Sequence, residues 1–556
     1  PAAMLSCPFL SHLPSGLIQS RPWSLLRFAQ RCPVIGKHIQ RAMTAGVEES
    51  TQSQRHQQPP PPPPMSEKKC PFLSGRLAAS DAAVCGLSPP SECPYSRMAG
   101  RPLTVCCMDE QQAAPMPAEP LVPQAEPPNL YNYKARCEAQ LQRKRDDHSY
   151  RVFRKVNRRG PSFPLAEEHT GGRKDITVWC SNDYLGMSWH PVVQEAVIEA
   201  ARQHGVGSGG TRNISGNTIH HEALEAELAD WHGKEAALLF TSCYVANEAT
   251  LYTLGQLVPG LVFLSDAGNH ASMIHGIRTS NCRKIIFPHN NVARLRQELL
   301  KLPLDSPKLV AFETVHSMTG DISPLAELCS LTRQFGGLSY VDEVHAVGMY
   351  GAAGAGVGER DGCLAGMDLI SGTLGKAIGN IGGYVAGDAT VIDAVRSYAS
   401  GFIFTTSLPP TVLAGARASL AVLRSVEGAE LRQRHQAAVQ LLREALLSRG
   451  LPVIPAPSHI IPLHVGDPRV AQAISEHMMH RCGAYIQAIN YPTVARGDER
   501  LRLAPTPHHT EPMIVRLADQ LADAFRLIGP HLLRSDGLES AAADPPPSLQ
   551  QLVVAA

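Results

Sequence analysis

The chain has 556 residues, of which 44% are hydrophobic, 18% charged and 5% aromatic, with 51 basic against 50 acidic side chains. Two or three domains fit that length at roughly 150 residues each, and a formal net charge of +1 gives no electrostatic reason to expect a nucleic-acid partner. No apolar run approaches the roughly 18 residues that a membrane span needs. The averages conceal a skew, because residues 1–130 hold 22 of the 45 prolines and 7 of the 14 cysteines. That front segment is not expected to share a core with the long remainder.

Residues 1–47 contain no Asp or Glu but carry Arg21, Arg27, Arg31, Lys37 and Arg41 among Ser, Leu and Phe. A basic, acid-free, Ser-containing start reads as a mitochondrial transit region, and no stretch in it resembles a secretory signal core. A proline run at 59–64 favours extended polyproline geometry. Residues 48–130 are therefore expected to be a disordered linker.

Four Cys-Pro pairs begin at Cys7, Cys32, Cys70 and Cys93, and none occurs later. Two of them repeat a longer string, CPFLS, at 7–11 and 70–74. A thiolate can ligate ferric haem, and a following proline turns the chain away and removes a donor. These four cysteines are thus candidate haem-regulatory ligands. Disulfides are the alternative, though a reducing compartment and these spacings do not favour them. A zinc site lacks the usual CxxC or histidine pattern.

From about residue 150 the pattern changes. Short apolar runs at 237–240, 261–264, 284–287, 309–312, 339–342 and 368–371 alternate with helical stretches such as 221–233, whose Leu224 and Leu228 share a face and whose Gly233 marks the end. Strands alternating with helices predict an α/β fold with a mainly parallel sheet covered on both faces. Ligands in such sheets sit at the carboxyl ends of strands. The residues there are informative. SYVD ends on Asp342, with His345 just beyond, and the next strand leads into a glycine-flanked loop carrying Lys376. A lone Asp at a strand end is ordinarily a turn residue, and a lone Lys a solvated side chain. Together they match pyridoxal phosphate, which needs a lysine for a Schiff base and a carboxylate to keep the pyridine nitrogen protonated. GAAGAGVG (351–358) does not follow a strand directly and reads as a flexible turn rather than a dinucleotide loop.

The strings CSNDYLGM (180–187), GVGSGGTRNISG (205–216), SDAGNHASMIHGIR (265–278), FETVHSMTGD (312–321), VDEVHAVGMYG (341–351), SGTLGKA (371–377), SYASGFIFTTSLPP (397–410) and INYPTVARGDERLRLAPTPHHT (489–510) resemble the 5-aminolevulinate synthase family. The resemblance covers roughly 131–530, and the Cys-Pro front is similar to that of animal mitochondrial members, more the housekeeping than the erythroid form. It implies a fold type I transferase dependent on pyridoxal phosphate, with a large domain at 191–415 and a smaller α+β C-terminal domain at 416–530. An N-terminal segment (131–190) would precede them and a tail (531–556) follow.

The same resemblance implies residue roles. Lys376 would form the Schiff base, Asp342 pair with the pyridine nitrogen, and His345 bond the ring hydroxyl oxygen. His270 would stack on the ring, and Ser317 would touch the cofactor. Cys243 and Tyr244 would hold the phosphate by backbone amides, with Thr373 beside them and Thr405 and Thr406 reaching in from a second subunit. Arg151 would bind the succinyl carboxylate, helped by Ser265, Lys284 and Thr493. Asn182, Thr211 and Asn213 would shape the acyl and glycine pockets, and Arg502 would take the glycine carboxylate. Two arginines suit two carboxylate-bearing substrates, because a guanidinium presents a planar fork to a carboxylate. Tyr244 and Glu248 depart from the usual Phe and Asp, and Asn380-Ile381 stands where another small pair is usual.

The implied reaction condenses glycine with succinyl-CoA in the mitochondrial matrix, as the first step of haem synthesis, in a homodimer with shared sites. No metal is expected in the catalytic site. The implied partners include the mitochondrial import machinery and haem, with room for peripheral inner-membrane association. The alternatives are another α-oxoamine synthase, of the glycine C-acetyltransferase type, and a haem-binding regulatory protein with an inactive core.

Overall fold

The computed structural model describes residues 131–533, so Cys7, Cys32, Cys70 and Cys93, the transit region, the linker and most of the tail lie outside the described residues. The described chain opens with an exposed helix, Tyr133–Asp146, whose first turn is capped by Asn132. A small meander follows: β1 (Val156–Arg158), β2 (Leu165–Glu168) and β3 (Lys174–Val178) pair antiparallel.

The large sheet is built from β4 (Ala236–Phe240), β5 (Val262–Asp266), β6 (Arg283–Phe287), β7 (Lys308–Glu313), β8 (Leu338–Asp342), β9 (Leu369–Thr373) and β10 (Gly383–Gly387). Its spatial order is β4-β10-β9-β8-β7-β5-β6, with β10 antiparallel to both neighbours and the β9-β8-β7-β5-β6 pairings parallel. β7 and β9 are buried at every residue, which is why their apolar runs are continuous rather than alternating. Successive residues still feed opposite faces. Val310, Phe312, Val341 and Ile370 enter one core, while Leu309, Ala311, Tyr340 and Leu369 enter the other.

Helices cover both faces. The helix Ile219–Trp231 buries Leu224 and Leu228 as its spacing predicts. The helix Pro410–Leu423 packs beside Pro191–His204 and places Ala416, Leu420 and Leu423 in the large core. The expected boundary at 415/416 falls inside this one helix, so the large-domain core reaches Leu423. A 22-residue helix, Val426–Leu447, then leads to the smaller part. There β11 (Ile461–His464) precedes the helix Pro468–Cys482, β12 (Ala484–Tyr485), β13 (Gln487–Ile489), β14 (Arg500–Leu503) and the helix Glu511–Ile528. β11, β14 and β13 form an antiparallel sheet with its own apolar core, in agreement with the expected α+β domain. β12 instead joins β3 in parallel, which ties the N-terminal segment to the C-terminal part.

The stretch 351–358 is not the free turn the sequence predicts. Ala353 and Ala355 amides donate to the Glu359 carboxylate at 2.9 and 2.8 Å, and those of Val357 and Gly358 to the buried Glu343 at 3.1 and 2.7 Å. Two carboxylates thus satisfy the amides that a dinucleotide loop would offer to phosphate. Among the described residues, no helix is long and apolar enough to cross a membrane.

Candidate active site

Three neighbouring strands end side by side. Glu313 is in register with Asp342, and Asp342 with Ser371, so the carboxyl ends of β7, β8 and β9 present their side chains in a row. β9 runs on through Thr373 to the loop that bears Lys376. Thr373 Oγ1 accepts from the Gly375 amide at 3.0 Å and holds the start of that loop. The return strand lets a helix approach closely: a Cβ on Gly383 would lie 2.2 Å from the Cys243 nitrogen. The helix Cys243–Leu257 therefore begins against the sheet, capped by Ser242, with Cys243 and Tyr244 in its first turn. A helix start of this kind presents free amides and a positive dipole end to an anion.

Lys376 Nζ lies 2.8 Å from His345 Nε2, and His345 Nδ1 lies 2.7 Å from the Tyr184 hydroxyl. Tyr184 in turn accepts from Arg502 Nη2 at 2.9 Å and donates to Asn182 Oδ1 at 3.1 Å. Arg502 also donates from Nη1 to Asn182 Oδ1 at 3.3 Å and from Nε to the Ser317 carbonyl at 2.8 Å. Asp342 accepts from Asn247 Nδ2 at 2.7 Å and from the Val344 amide at 2.8 Å. Asn247 is itself fixed, taking the Tyr340 hydroxyl at 2.9 Å and donating to Ser272 Oγ at 3.1 Å. Ser272 pairs with His270 Nδ1 at 2.7 Å, while the His270 ring stays exposed.

Burial sets the ionisation of this cluster. It pulls the Lys376 ammonium down to about 8, against the Asp342 charge that favours the cation. Burial, followed by the charge of Lys376, holds His345 well below the usual imidazole range, so it is neutral. His270 is lowered by burial too, with Asp342 opposing. Glu313 is pushed well above the usual carboxyl range by burial and then by Asp342.

Within this cluster, neither Asp342 nor Arg502 has a partner of opposite sign at ion-pair distance among the described residues. The Asp342 side chain is buried with only an amide side chain and a backbone N–H on it, and Arg502, 5% exposed, has only neutral acceptors. A buried, unpaired charge is costly unless a ligand completes it. One waiting anion, one waiting cation and a lysine of depressed pKa fit pyridoxal phosphate with a carboxylate substrate. The exposed His270 ring and the start of the Cys243 helix fit the cofactor's ring and phosphate.

The other expected residues fall into two further groups. Arg151 Nη2 donates to Thr493 Oγ1 at 3.1 Å, both side chains being exposed. Ser265 is buried and accepts from Asn269 at 2.9 Å, and Lys284 is exposed on β6 with no hydrogen bond or ion pair among the described residues. Thr406 forms an isolated strand bridge with Thr211, and Thr211 Oγ1 donates to Asn213 at 2.6 Å. Neither Thr405 nor Thr406 meets Lys376 within this chain. The sequence reading assigned nothing to Tyr184, Asn247 or Glu313. Tyr184 lies inside a quoted motif, and Asn247 is one helical turn beyond Cys243, but neither spacing announces its partner.

The fold and this cluster define a pyridoxal-phosphate enzyme of fold type I. A family model, "Aminotransferase class I and II", matches residues 174–521, and a "5-aminolevulinate synthase presequence" model matches 2–95. A structure of serine palmitoyltransferase with pyridoxal phosphate superposes with a TM-score of 0.65 at 30% identity, covering 71% of this chain and 97% of that one. The non-specific mitochondrial 5-aminolevulinate synthase of Opsanus tau is 43% identical over 94% of this chain and 92% of its own length. The erythroid-specific mitochondrial enzyme of Mus musculus is 44% identical over 95% and 92%. The chain belongs to the 5-aminolevulinate synthase family and has that family's mitochondrial presequence.

Proposed function

We propose that this site joins glycine to the succinyl group of succinyl-CoA, giving 5-aminolevulinate, CoA and carbon dioxide. The observation that carries the reading is the pair of unmatched buried charges, Asp342 and Arg502, on either side of the Lys376–His345 contact. Pyridoxal phosphate, when bound, supplies an electron sink for the glycine α-carbon. Asp342 supplies the counter-charge for its pyridine nitrogen, with Asn247 aiming the carboxylate. Cys243, Tyr244 and Thr373 would hold its phosphate, and His270 would lie against its ring.

Arg502 takes the glycine carboxylate and so orients the α-carbon toward Lys376. The neutral Lys376 amine accepts the α-proton, and a pKa of about 8 leaves a useful fraction of free base near neutrality. A bond forms from the α-carbon to the thioester carbonyl as the carbon–sulfur bond breaks, and the departing thiolate takes a proton from solvent. The bond to the former glycine carboxyl then breaks as carbon dioxide departs, and Lys376 returns a proton to that carbon. Arg151, with Thr493, receives the distal carboxylate of the acyl group.

Val206, Ile214, Ile219, Tyr398 and Phe404 are exposed apolar side chains in the segments that flank Thr211, Thr405 and Thr406 in sequence. A second copy covering this face makes a homodimer in which those threonines complete the partner site. The presequence directs the chain to the mitochondrial matrix, and the Cys-Pro cysteines let haem restrain its import or lifetime.

Purified enzyme with bound cofactor, given glycine and a panel of acyl-CoAs, tests the function. Formation of 5-aminolevulinate from succinyl-CoA, lost in Lys376→Ala together with the visible absorbance of the bound cofactor, is the expected result. A preference for acetyl-CoA, or turnover by Lys376→Ala, would refute it. Haem control fails if replacing Cys7, Cys32, Cys70 and Cys93 together leaves haem sensitivity unchanged.

A further inference from the structure

Three loops at the carboxyl edge of the large sheet meet behind the site, and one side chain touches all three. β5 ends on Asp266, whose side chain is fully buried, and the chain then passes through Gly268 to His270. His289 follows β6, and the stretch 314–321, which includes Ser317, follows β7 and closes on Asp321. His289 Nδ1 lies 2.8 Å from Asp266 Oδ1, and its Nε2 lies 3.2 Å from the Asn290 side-chain amide and 3.6 Å from Asp321 Oδ2, the last an ion-pair separation rather than a hydrogen bond. Its ring meets His316 edge-on with centroids 4.0 Å apart. It also sits over Gly268, where a Cβ would fall 2.7 Å from Nδ1. The Gly268 and Asn290 amides hold the Asp266 carboxylate at 2.7 and 2.8 Å.

The far side of the 314–321 stretch faces β14. Arg500 Nη1 donates to the Met318 carbonyl at 3.3 Å and Arg502 Nε to the Ser317 carbonyl at 2.8 Å. The segment that anchors Arg502 is therefore gripped between β14 and the Asp321–His289–Asp266 bridge.

The geometry points to His289 as a positioning residue that, by bridging Asp266 and Asp321, sets the loop bearing His270 against the loop on which Arg502 is aligned. Burial alone would lower the His289 pKa, and the Asp266 and Asp321 carboxylates overcome that and lift it to about 9. The other titratable neighbours do not replace its charge. Burial and His289 itself bring His316 down to about 4, Glu313 lies beyond Asp266, and Arg500 lies beyond Asp321 on β14. His289 is thus the cation between two carboxylates at neutral pH, and His316 is a neutral packing partner.

The test compares His289→Gln, which can bond Asp266 but carries no charge, with His289→Ala, both as full-length enzyme with bound cofactor. Two readouts are taken: the split between glycine KM and kcat, and hydrogen exchange of the amides in 265–270 and 314–323. H289Q is expected to raise glycine KM about tenfold with kcat within about threefold, and to speed exchange in those two segments selectively. H289A should do both more strongly, and if it fails to fold, H289Q decides. Unchanged exchange and unchanged glycine KM in H289Q would overturn the assignment. The glycine arm rests on the function proposed above, whereas the exchange arm does not. An unmodified enzyme that consumes no glycine sinks that function and leaves the exchange data to decide the role of His289.

Discussion

Arg502→Leu removes a buried guanidinium and leaves a similar apolar volume in its place. The structure indicates how much recognition is lost. A guanidinium has five N–H donors, and three contacts occupy Arg502: the Ser317 carbonyl, Asn182 Oδ1 and the Tyr184 hydroxyl. About two donors then remain for a bidentate carboxylate. Charge-assisted hydrogen bonds contribute roughly 1.5–3 kcal/mol each, so their loss amounts to about 3–6 kcal/mol. Water that solvates the glycine carboxylate in the variant recovers part of that, leaving a fall of roughly 10²–10³-fold in kcat/KM for glycine. Arg502→Lys keeps the charge but not the fork and should fall about midway on a logarithmic scale. The assay is the initial rate of CoA thiol release against glycine concentration, with cofactor content measured in parallel. Cofactor content should be nearly normal, because Arg502 contacts only Ser317, Asn182 and Tyr184. A glycine KM within about threefold of the unmodified enzyme would refute the assignment of Arg502 to the carboxylate.

Asp342 bears on Lys376 as well as on the cofactor, and its charge holds the Lys376 pKa up against burial. In the cofactor-free protein, Schiff-base formation with added pyridoxal phosphate requires the neutral amine. Its rate should therefore rise with pH through about 8, and the rise should move to lower pH in Asp342→Asn. An unmoved profile would show that the two groups are not coupled. The same variant, once loaded, should lose about 10²-fold or more in kcat, measured with saturating glycine and succinyl-CoA. Arg151→Ala should raise the succinyl-CoA KM about 10-fold to 100-fold while leaving the weak rate with acetyl-CoA unchanged. Equal effects on both donors would mean that Arg151 does not read the distal carboxylate.

The six apolar runs were legible because parallel strands buried on both faces must be apolar at consecutive positions, and each lies in an observed strand, to within a residue at its start. Asp342 and Lys376 were legible for a related reason: the fold puts chemistry at strand ends, so a strand's position already marks where to look. The residues that aim them were not. Tyr184 meets His345 across 161 residues, and Asn247 meets Asp342 across 95. No local period encodes such pairings. The loop 351–358 was misread because glycine spacing says where backbone is free to turn, not that Glu343 and Glu359 already occupy its amides. The expected boundary near 415 leaves no mark on the helix Pro410–Leu423, which is apolar on the face it turns to the large core and has nothing in its sequence that interrupts it.

The hydrogen-bond pattern also shows where the charge of the site resides. The Tyr184 hydroxyl receives Arg502, and its proton points to Asn182 Oδ1. His345 links the Tyr184 hydroxyl at 2.7 Å to Lys376 Nζ at 2.8 Å, one ring nitrogen facing each. Burial holds this imidazole well below its usual range, which favours a single N–H on the ring. Burial likewise pushes Glu313 up and desolvation brings His270 down. All three shifts favour the neutral form. Asp342 and Arg502 face the site without an opposite charge beside them, and burial brings Lys376 down to about 8. A cluster with all its histidines and acids ionised would screen Arg502 from the incoming carboxylate and Asp342 from the pyridine nitrogen. Desolvation therefore does more than exclude water here: it confines charge to the two positions where a ligand of opposite sign is required.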